Sequence, residues 1–402
     1  MIKVAIFGFG TVGSGVAEVL DVNRSEILNR TGADIEVKYI LDLRDFPGSK
    51  YEDKIVHDVD IILNDPEVVI CCETMGGKTF AYDYTKRALS AGKSVCTSNK
   101  ELVEAYGPEL LALAKEKGLS YLFEASVGGG IPIIRNICNC ITADKIEGIT
   151  GILNGTTNYM LTKMDREGAD YAEVLKEAQD KGYAERNPEA DVEGHDAGRK
   201  IAILSSLMSG KTVSYEELHV EGITAVTGMD FKYARKLGMS IKLLGQSRMV
   251  GDAVAAMVSP CMVRAEHPLF MVNDVFNGIL VHGNMLGDAL FYGAGAGKLP
   301  TASAVCADVV ALAKSIGENI PCNWSKEPAK LLAADDQVRQ FFVRVKSDDT
   351  AEAEALFGAI DYIELEGYPQ EKAFITEAMT EKEFAKRYGK LSGAVSRIRM
   401  LA

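Results

Sequence analysis

The chain has 402 residues, of which 47% are hydrophobic and 25% are charged, and its formal net charge is −13. This composition excludes fibrous and wholly disordered proteins, and the length predicts two or three domains. No apolar stretch approaches the about 18 residues of a membrane span. Because an acidic surface repels phosphates, the charge also argues against a nucleic-acid or anionic-membrane partner.

The N-terminus and the cysteines predict a cytoplasmic protein with reduced thiols. Residues 1–8 enter a strand pattern directly and lack the regions of a signal peptide. Cys71 and Cys72 are adjacent, and Cys138 and Cys140 are two residues apart, which are not the paired spacings of a zinc module.

The first third of the chain alternates short β-branched strands with helices. The pattern predicts strands at residues 2–7, 35–42, 68–74, 94–98 and 121–125, and helices at 79–91 and 107–117. This alternation is typical of an α/β fold of the Rossmann type, a doubly wound parallel sheet with helices on both faces. We predict a nucleotide-binding domain over residues 1–130.

Longer helices and alternating strands follow. The pattern predicts helices at residues 171–181, 195–209 and 231–237, and strands at 253–263 and 278–281. We predict an α+β substrate-binding and dimerisation domain over residues 131–301, in which helices cover one face of a mixed sheet. A helix at 302–315 is expected to return, with the rest of residues 302–335, to the nucleotide-binding domain.

The tail predicts a third, smaller domain over residues 337–402. Its predicted elements are a strand at 341–346, a helix at 350–358, strands at 362–366 and 373–378, a helix at 381–388 and a strand at 394–400. This βαββαβ order is that of a ferredoxin-like unit.

A glycine-rich turn joins the first strand to its helix. It consists of Gly8, Phe9, Gly10, Thr11, Val12 and Gly13, a G-x-G-x-x-G pattern in a strand–turn–helix setting. Gly8 permits the turn, Gly10 lets the backbone approach a pyrophosphate, and Gly13 lets the helix pack on the strand. The helix N-terminus offers N–H groups to phosphate, so we predict dinucleotide binding.

Polar residues follow two more strands of this domain. Asp42 ends the second strand, where a carboxylate accepts hydrogen bonds from the ribose of NAD, whereas Arg44 would hold the 2′-phosphate of NADP. The preference between the two cofactors stays open. Ser98 and Lys100 follow the strand at 94–98, where ligands of open α/β sheets bind, although a solvated lysine that starts a helix fits the same pattern.

Three further loops are rich in glycine. Residues 124–132 place Glu124 before three glycines, and from the residues alone a hinge is favoured over carbonyls that hold a hard cation. Residues 151–159 suit either a polar binding loop or a capped turn. Residues 292–304 form a loop whose backbone either lies near a nicotinamide or only reverses the direction of the chain.

The segment 182–200 carries the densest group of charged residues. Asp196 and Lys200 are four residues apart and share a helix face, which is usually a weak surface ion pair. Residues 201–210 contain no charge, however, so this helix is expected to be buried on nearly every side. With Glu185 and Asp191 before it, a partly buried Lys–Asp pair is favoured as a site for an amino-acid-like substrate.

Six motifs together resemble those of the homoserine dehydrogenase family. They are GFGTVG, TSNK, EASVGGGIP, GILNGTTNYML, GYAE followed by DVEGHDAGRK, and GAGAGKLPTASAV, and they span about the first 310 residues. The resemblance implies reduction of L-aspartate 4-semialdehyde to L-homoserine with NADPH or NADH, on the route to threonine, methionine and isoleucine.

The resemblance also implies roles for single residues. Lys200 corresponds to the proton donor, and Lys100 to a lysine near the nicotinamide and the substrate. Glu185 corresponds to the acid that binds the substrate, while Asp191 and Asp196 match acids that line and orient the site.

Backbone groups receive roles from the same resemblance. Gly182 and Gly297 fall where the family's backbone meets the cofactor. A sodium site is implied at four carbonyls, which reverses the preference for a hinge; they belong to Glu124, Val127, Gly129 and Ile131.

The sequence departs from the family pattern in places. Ser98 stands where relatives commonly carry alanine, and Arg186 adds a charge to the loop after Glu185. Leu41 occupies a position where many relatives carry arginine before Asp42, which weakens the case for strict NADPH preference.

The resemblance carries expectations about assembly and regulation. The tail resembles a short ACT-like regulatory unit, so an amino-acid effector is one expectation. A homodimer through the sheet of the second domain is expected, with a tetramer through the tails as the alternative. No fused aspartate kinase is expected, because the chain begins at the nucleotide-binding strand.

Two other functions would account for part of the sequence. An aspartate-semialdehyde dehydrogenase acts on the same aldehyde but needs a cysteine nucleophile with a histidine, and no cysteine of this sequence lies in a suitable loop. A non-catalytic, NAD(P)-sensing regulator would leave Lys100, Asp196 and Lys200 without a role.

Overall fold

The computed structural model describes residues 1–401, and the chain forms two compact units. The first unit comprises residues 1–145, 206–213 and 293–328, and the second comprises residues 146–205, 214–292 and those from 329 onwards. The predicted domain boundaries after residues 130 and 301 and before residue 337 stay predictions.

Helices occur in both units. In chain order the α-helices are α1 (Thr11–Val22), α2 (Arg24–Thr31), α3 (Val59–Leu63), α4 (Thr79–Ser90), α5 (Lys100–Glu116), α6 (Gly155–Glu167), α7 (Tyr171–Asp180), α8 (Glu189–Val192), α9 (His195–Ser209), α10 (Gly228–Lys236), α11 (Lys298–Lys314), α12 (Thr350–Phe357) and α13 (Glu381–Tyr388). None of the helices within residues 1–401 has the length and apolar character needed to cross a membrane.

The strands form two large sheets and one short pair. In chain order they are β1 (Ile2–Phe7), β2 (Ile35–Leu41), β3 (Ile55–Val56), β4 (Val68–Glu73), β5 (Ser94–Thr97), β6 (Tyr121–Leu122), β7 (Ile146–Ile152), β8 (His219–Val220), β9 (Met239–Val250), β10 (Ala253–Arg264), β11 (Phe276–Gly283), β12 (Gly287–Ala294), β13 (Val338–Arg339), β14 (Phe341–Lys346), β15 (Glu371–Ile375), β16 (Met379–Thr380) and β17 (Ala394–Met400).

A parallel six-stranded sheet forms the centre of the first unit. Its strand order is β3-β2-β1-β4-β5-β6, and every neighbouring pair is parallel. α1 and α11 share one core beside β1, in which Val16 of α1 and Val305 and Val309 of α11 are fully buried. The predicted Rossmann-type α/β fold is therefore confirmed. The strand order reverses beside β1, where open α/β sheets bind ligands at the carboxyl edge.

Two elements of this unit differ from their predicted bounds. α5 begins at Lys100 rather than residue 107, because the Asn99 side chain accepts hydrogen bonds from the N–H groups of Glu101 and Leu102, both at 3.1 Å. The strand predicted at 121–125 ends at Leu122, and a single 3₁₀ turn follows at Glu124–Ser126.

A mixed nine-stranded sheet forms the centre of the second unit. Its order is β12-β11-β7-β9-β10-β17-β14-β15, and β8 pairs with β10. β9 and β10 pair antiparallel along their whole length, from Met239 opposite Arg264 to Val250 opposite Ala253. β9 was not among the predicted strands, because its apolar run is interrupted by Gly245 and by four polar residues that are also buried, Ser240, Lys242, Gln246 and Ser247.

Three strands of the tail extend this sheet, and two short ones, β13 and β16, form a separate pair. β17 pairs in parallel with β10, with Cys261 opposite Arg399, and β14 and β15 follow it. The strand predicted at 362–366 is wrong: this stretch contributes one isolated bridge, from Ile363 to Ala373. From residue 341 the tail runs β14-α12-β15-β16-α13-β17, in which β16 pairs with β13 outside the large sheet, and its ACT-like character stays a prediction.

Candidate functional site

The turn between β1 and α1 requires glycine at two positions. Gly8 has φ of +91°, in the left-handed region that L-amino acids rarely adopt. A Cβ atom on Gly13 would lie 1.9 Å from the carbonyl oxygen of Gly8, so α1 packs against the turn more closely than any side chain allows. A Cβ on Gly10 would meet no protein atom within 4 Å. Protein packing therefore does not demand glycine at this position, where the motif predicts pyrophosphate contact.

Asp42 and Arg44 are paired with each other at the end of β2. Asp42 Oδ2 accepts hydrogen bonds from the Phe9 N–H (2.7 Å) and Arg44 Nη2 (3.0 Å), and Oδ1 accepts from the Arg44 N–H and Nε, each at 3.0 Å. The Arg44 side chain above all, and then the Phe9 N–H, lower the pKa of Asp42 to about 2. Arg44 itself keeps 63% of its side chain exposed.

These residues border one cleft at the carboxyl edge of the first unit's sheet. Its volume is about 480 Å³, and its lining includes Gly8, Gly10, Asp42, Arg44 and His57. The structure thus brings the predicted glycine turn and the predicted cofactor-selecting residues to the same cleft.

A buried carboxyl group that sequence analysis missed lies at the end of β4. Glu73 is fully buried, its Oε2 accepts a hydrogen bond from Thr97 Oγ1 at 2.5 Å, and its Oε1 accepts one from the Met75 N–H at 2.7 Å. Burial raises the pKa of Glu73 to about 7. The sequence signal was an acid that ends an otherwise apolar strand.

Ser98 and Lys100 follow the neighbouring strand β5, at the same edge of the sheet. The Ser98 N–H donates to the carbonyl oxygen of Glu73 at 3.3 Å, and Lys100 is the first residue of α5. Both side chains are partly buried. The structure therefore places them at the carboxyl edge of the sheet, as predicted from the position of TSNK after a strand.

The Glu124 carboxylate has partners within its own unit. It is 2% exposed and accepts hydrogen bonds from the N–H groups of Ile134 (2.7 Å) and Arg135 (2.8 Å). Asp308 of α11 accepts from the Glu124 N–H (2.9 Å) and from Arg135 Nη2 (2.6 Å). Burial raises the pKa of Glu124, and it raises that of Asp308 to about 7. The backbone N–H of Glu124 thus ties its loop to Asp308 of α11, while the Glu124 side chain holds the backbone at Ile134 and Arg135.

The loop after Glu124 contacts the later glycine cluster. The Gly130 N–H donates to the Ala294 carbonyl at 3.0 Å, and a Cβ on Gly129 would lie 2.3 Å from the Gly295 carbonyl oxygen. Gly297 has φ of +110° and precedes α11. Two glycine clusters that the sequence left unconnected therefore pack backbone against backbone.

Within residues 1–401, no three His, Cys, Asp or Glu side chains are grouped so that they would hold a metal ion. A sodium site built from backbone carbonyls would not need such a group.

Lys200 and Asp196 form a buried hydrogen-bonded pair in the second unit. Lys200 is 8% exposed and Asp196 is 4% exposed. Lys200 Nζ donates to Asp196 Oδ2 and to the Leu153 carbonyl oxygen, both at 2.8 Å. The buried helix predicted from the uncharged stretch after Lys200 is observed as α9, and the pair lies in its first turns.

Asn154 joins this pair to Asp191. Its Nδ2 donates to Asp191 Oδ1 at 2.7 Å and to Asp196 Oδ2 at 2.9 Å, and its Oδ1 accepts from the Thr157 N–H at 2.8 Å. Sequence analysis singled out the segment around Asn154 but not this residue. An amide side chain at a helix start, between apolar runs, was the available signal.

Two predicted residues lie outside these hydrogen bonds. Glu185 and Gly182 are exposed in the stretch between α7 and α8. The Glu185 carbonyl accepts from Gln179 Nε2 at 3.0 Å, and Gly182 has φ of +73°. In the second unit the structure therefore brings together Lys200, Asp196 and Asp191.

The Rossmann-type sheet with its dinucleotide turn defines an NAD(P)-binding protein, and comparison with known proteins makes it an NAD(P)-dependent oxidoreductase. The family model "Homoserine dehydrogenase" matches residues 132–310, and "Homoserine dehydrogenase, NAD binding domain" matches residues 8–124. The homoserine dehydrogenase of Bacillus subtilis is 38% identical, over 87% of this chain and 82% of that relative. The chain belongs to the homoserine dehydrogenase family.

Solved structures agree with this assignment. A homoserine dehydrogenase from Thiobacillus denitrificans has a TM-score of 0.90 and 33% identity, covering 100% of this chain and 98% of its own. A hyperthermophilic archaeal homoserine dehydrogenase in complex with NADPH has a TM-score of 0.68 and 26% identity, covering 80% and 99%. The predicted family resemblance is confirmed.

Replacing Glu73 with glutamine is expected to remove a pH dependence of folding stability. Because the pKa of about 7 in the folded protein exceeds the ordinary glutamate value of 4.5, the stability linked to Glu73 is fully present below pH 4.5 and is lost as the pH rises through about 7. Urea unfolding at about pH 5 and about pH 8 should show the wild type losing roughly 2–3 kcal/mol more than Glu73→Gln. Exposed Glu26, as Glu26→Gln, is the control, and equal losses in wild type and Glu73→Gln would contradict the assignment.

Proposed function

We propose that the chain reduces L-aspartate 4-semialdehyde to L-homoserine, with Lys200 as the proton donor. The observation that carries this proposal is the buried ammonium of Lys200, held by Asp196 and the Leu153 carbonyl. When bound, the reduced nicotinamide supplies the hydride that an aldehyde carbon needs to become an alcohol. The alkoxide oxygen that develops then takes one proton from Lys200 Nζ.

The neighbours of Lys200 hold the proton in place. Asp196 stabilises the ammonium form, because an opposite charge at hydrogen-bond distance offsets the desolvation of a buried lysine. Asn154 donates to the same Asp196 oxygen and thereby fixes the carboxylate. We assign Asn154 as a positioning residue that acts through Asp196.

The remaining charged residues predicted for the site suit an amino-acid substrate. Glu185 is exposed, and its carboxylate would bind the substrate's ammonium group, with Asp191 lining the site. In the first unit, Lys100 at the carboxyl edge of the sheet would add positive charge near the nicotinamide. The roles of Glu185, Asp191 and Lys100 are supported by their positions in the motifs and by where each residue lies within its own unit.

Replacing Lys200 with methionine is expected to lower kcat by about two to four powers of ten, because the proton donor is lost. Following NADPH absorbance with the semialdehyde measures this, and a binding titration should show NADPH affinity unchanged. Lys330→Met, at a side chain that is 68% exposed, is the matched control. A Lys200→Met variant that binds NADPH and turns over near the wild-type rate would refute the assignment.

The direction of the absorbance change in the same assay distinguishes this reductase from an aspartate-semialdehyde dehydrogenase. A reductase of the aldehyde consumes NADPH without further reagents. An aspartate-semialdehyde dehydrogenase would instead oxidise the aldehyde, forming NADPH from NADP⁺ in the presence of inorganic phosphate. A non-catalytic NAD(P)-sensing protein would bind the cofactor with no change in absorbance over time.

We propose that Arg44 gives the cleft its affinity for NADP(H). Its guanidinium is largely exposed and borders the cleft beside the glycine turn, while both Asp42 oxygens already accept hydrogen bonds from Phe9 and Arg44. Arg44→Ala should raise the Kd for NADPH by about tenfold or more, since charge-assisted hydrogen bonds are lost. The Kd for NADH should change by less than about threefold, within ordinary context effects. Exposed Arg30, as Arg30→Ala, is the control, and equal weakening of both cofactors would argue against this role.

We propose a sodium site at the carbonyls of Glu124, Val127, Gly129 and Ile131. Three of these residues are almost completely buried, and Gly129 has φ of +57° against the Gly295 backbone, so the loop is fixed. The melting temperature and the rate should both be higher in sodium chloride than in tetramethylammonium chloride, with potassium absent. Identical melting temperatures and rates in the two salts would refute the sodium site, and the glycines of this loop would then serve only to connect chain segments.

Assembly and regulation are also proposed. The outer strand β12 keeps Leu290 and Tyr292 exposed at 42% and 54%, which supports a homodimer through this sheet. Light scattering should then give twice the chain mass. A mass of four chains would instead support the tetramer through the tails.

An amino-acid effector is tested separately. Amino acids are added one at a time, and the one that shifts the melting temperature is identified as the effector.

A further inference from the structure

Two cysteines that the proposed function does not use lie side by side in the first unit. Cys138 is in a π-helical stretch at Asn136–Cys140, and Cys322 follows α11. Their Sγ atoms are 3.7 Å apart although the residues are separated by 184 positions in the chain. Both side chains are half-buried, and all eight cysteines are free thiols.

We propose that Cys138 and Cys322 are a redox modification site that closes to a disulfide when a peroxide oxidises the chain. A disulfide bond is about 2.05 Å long, so the two sulfur atoms must approach by roughly 1.7 Å to form it. Random placement of two thiols rarely brings sulfur atoms into contact. Cys140, which is exposed and close in sequence, has no such partner among the described contacts of residues 1–401.

The flanks of both cysteines are anchored, which keeps the sulfur atoms together. Arg135, three residues before Cys138, binds the Asp308 carboxylate at 2.6 Å. Trp324, two residues after Cys322, packs against α5 so closely that a Cβ on Gly107 would lie 2.8 Å from its ring. The sulfur pair is therefore preorganised by contacts that do not themselves involve sulfur.

A small oxidant has a route to the pair. Cys138 and Cys322 line the same surface cavity of about 90 Å³, together with Arg135, Asn139 and Pro321. Hydrogen peroxide is close to water in size, so a cavity of this volume admits it.

The order of the two steps follows from the environment of Cys322. The hydrogen bond to Cys138 and then burial raise the pKa of Cys322, so Cys322 keeps its proton. The Cys138 thiol gives up its proton and its sulfur attacks one peroxide oxygen; the O–O bond breaks, Cys138 becomes a sulfenic acid, and the other oxygen takes that proton and leaves as water. As the Cys322 sulfur then attacks the Cys138 sulfur, the Cys322 proton passes to the sulfenic oxygen, which leaves as a second water while the S–S bond forms. In sum, two thiols are oxidised and one peroxide is reduced to two waters.

The cross-link would join two distant stretches of the first unit. It closes a loop of 184 residues, which restricts the unfolded chain and raises the stability of the oxidised protein. It also ties the stretch after the Glu124 loop to the stretch after α11, beside the contacts of Arg135 with Asp308.

Peptide mapping of the full-length protein tests this site. The reduced chain is treated with hydrogen peroxide, the remaining thiols are alkylated, and the digest is analysed by mass spectrometry. We expect two of the eight thiols to disappear, one peptide pair linked through Cys138 and Cys322, reversal by dithiothreitol, and a higher melting temperature of the oxidised form.

Three single variants separate this site from general oxidation. Cys322→Ser should accumulate a sulfenic acid at Cys138 that dimedone traps, Cys138→Ser should leave Cys322 alkylatable, and Cys140→Ser should form the cross-link as the wild type does. Alkylation of both Cys138 and Cys322 after peroxide treatment, or a bond from Cys138 to Cys140, would overturn the proposal. If a variant does not fold, the peptide map of the wild type decides alone.

Discussion

The second unit depends on a lysine ammonium that is almost completely removed from water. Burying an unpaired charge costs several kcal/mol, so the fold must supply acceptors wherever it places such a group. Lys200 receives two, the Asp196 carboxylate and the Leu153 carbonyl. These acceptors come from different elements, α9 and the connection between β7 and α6, and therefore fix those elements to one another.

That requirement accounts for the role of Asn154. A carboxylate that serves a buried ammonium has its own desolvation cost, which further hydrogen bonds offset. Asn154 supplies one to Asp196 and one to Asp191, while its own oxygen caps α6 through Thr157. One amide thus links a helix start, two acids and the proposed proton donor.

Buried charged groups in the first unit and in the tail are likewise held by several hydrogen-bond partners. Glu124 and Asp308 are held by backbone N–H groups and by Arg135. In the tail, Arg344 binds Asp230 of α10 at 2.9 Å and Glu371 of β15 at 2.8 Å. Arg344 thus links β14 to α10 and to β15, and removing either acid would leave a buried charge uncompensated. The attachment of the tail to the large sheet comes from the pairing of β17 with β10.

Local patterns in the sequence were sufficient for a large part of the molecule. Strand and helix alternation predicted the parallel sheet, the spacing of Gly8, Gly10 and Gly13 predicted the turn, and the four-residue separation of Asp196 and Lys200 predicted their pairing. Each of these follows from chain geometry within a few residues, at the periods of strands and helices. The ordered motifs then identified the family.

Only the tertiary structure decided which distant residues meet. The partners of Asn154, the burial of Glu73, the contact of Gly129 with Gly295 and the approach of Cys138 to Cys322 each join stretches far apart in the chain. No local period encodes such contacts, because they arise from how strands pair and helices pack across the chain. The sequence by itself therefore determined the chemistry that is present, and folding determined which of its groups act together.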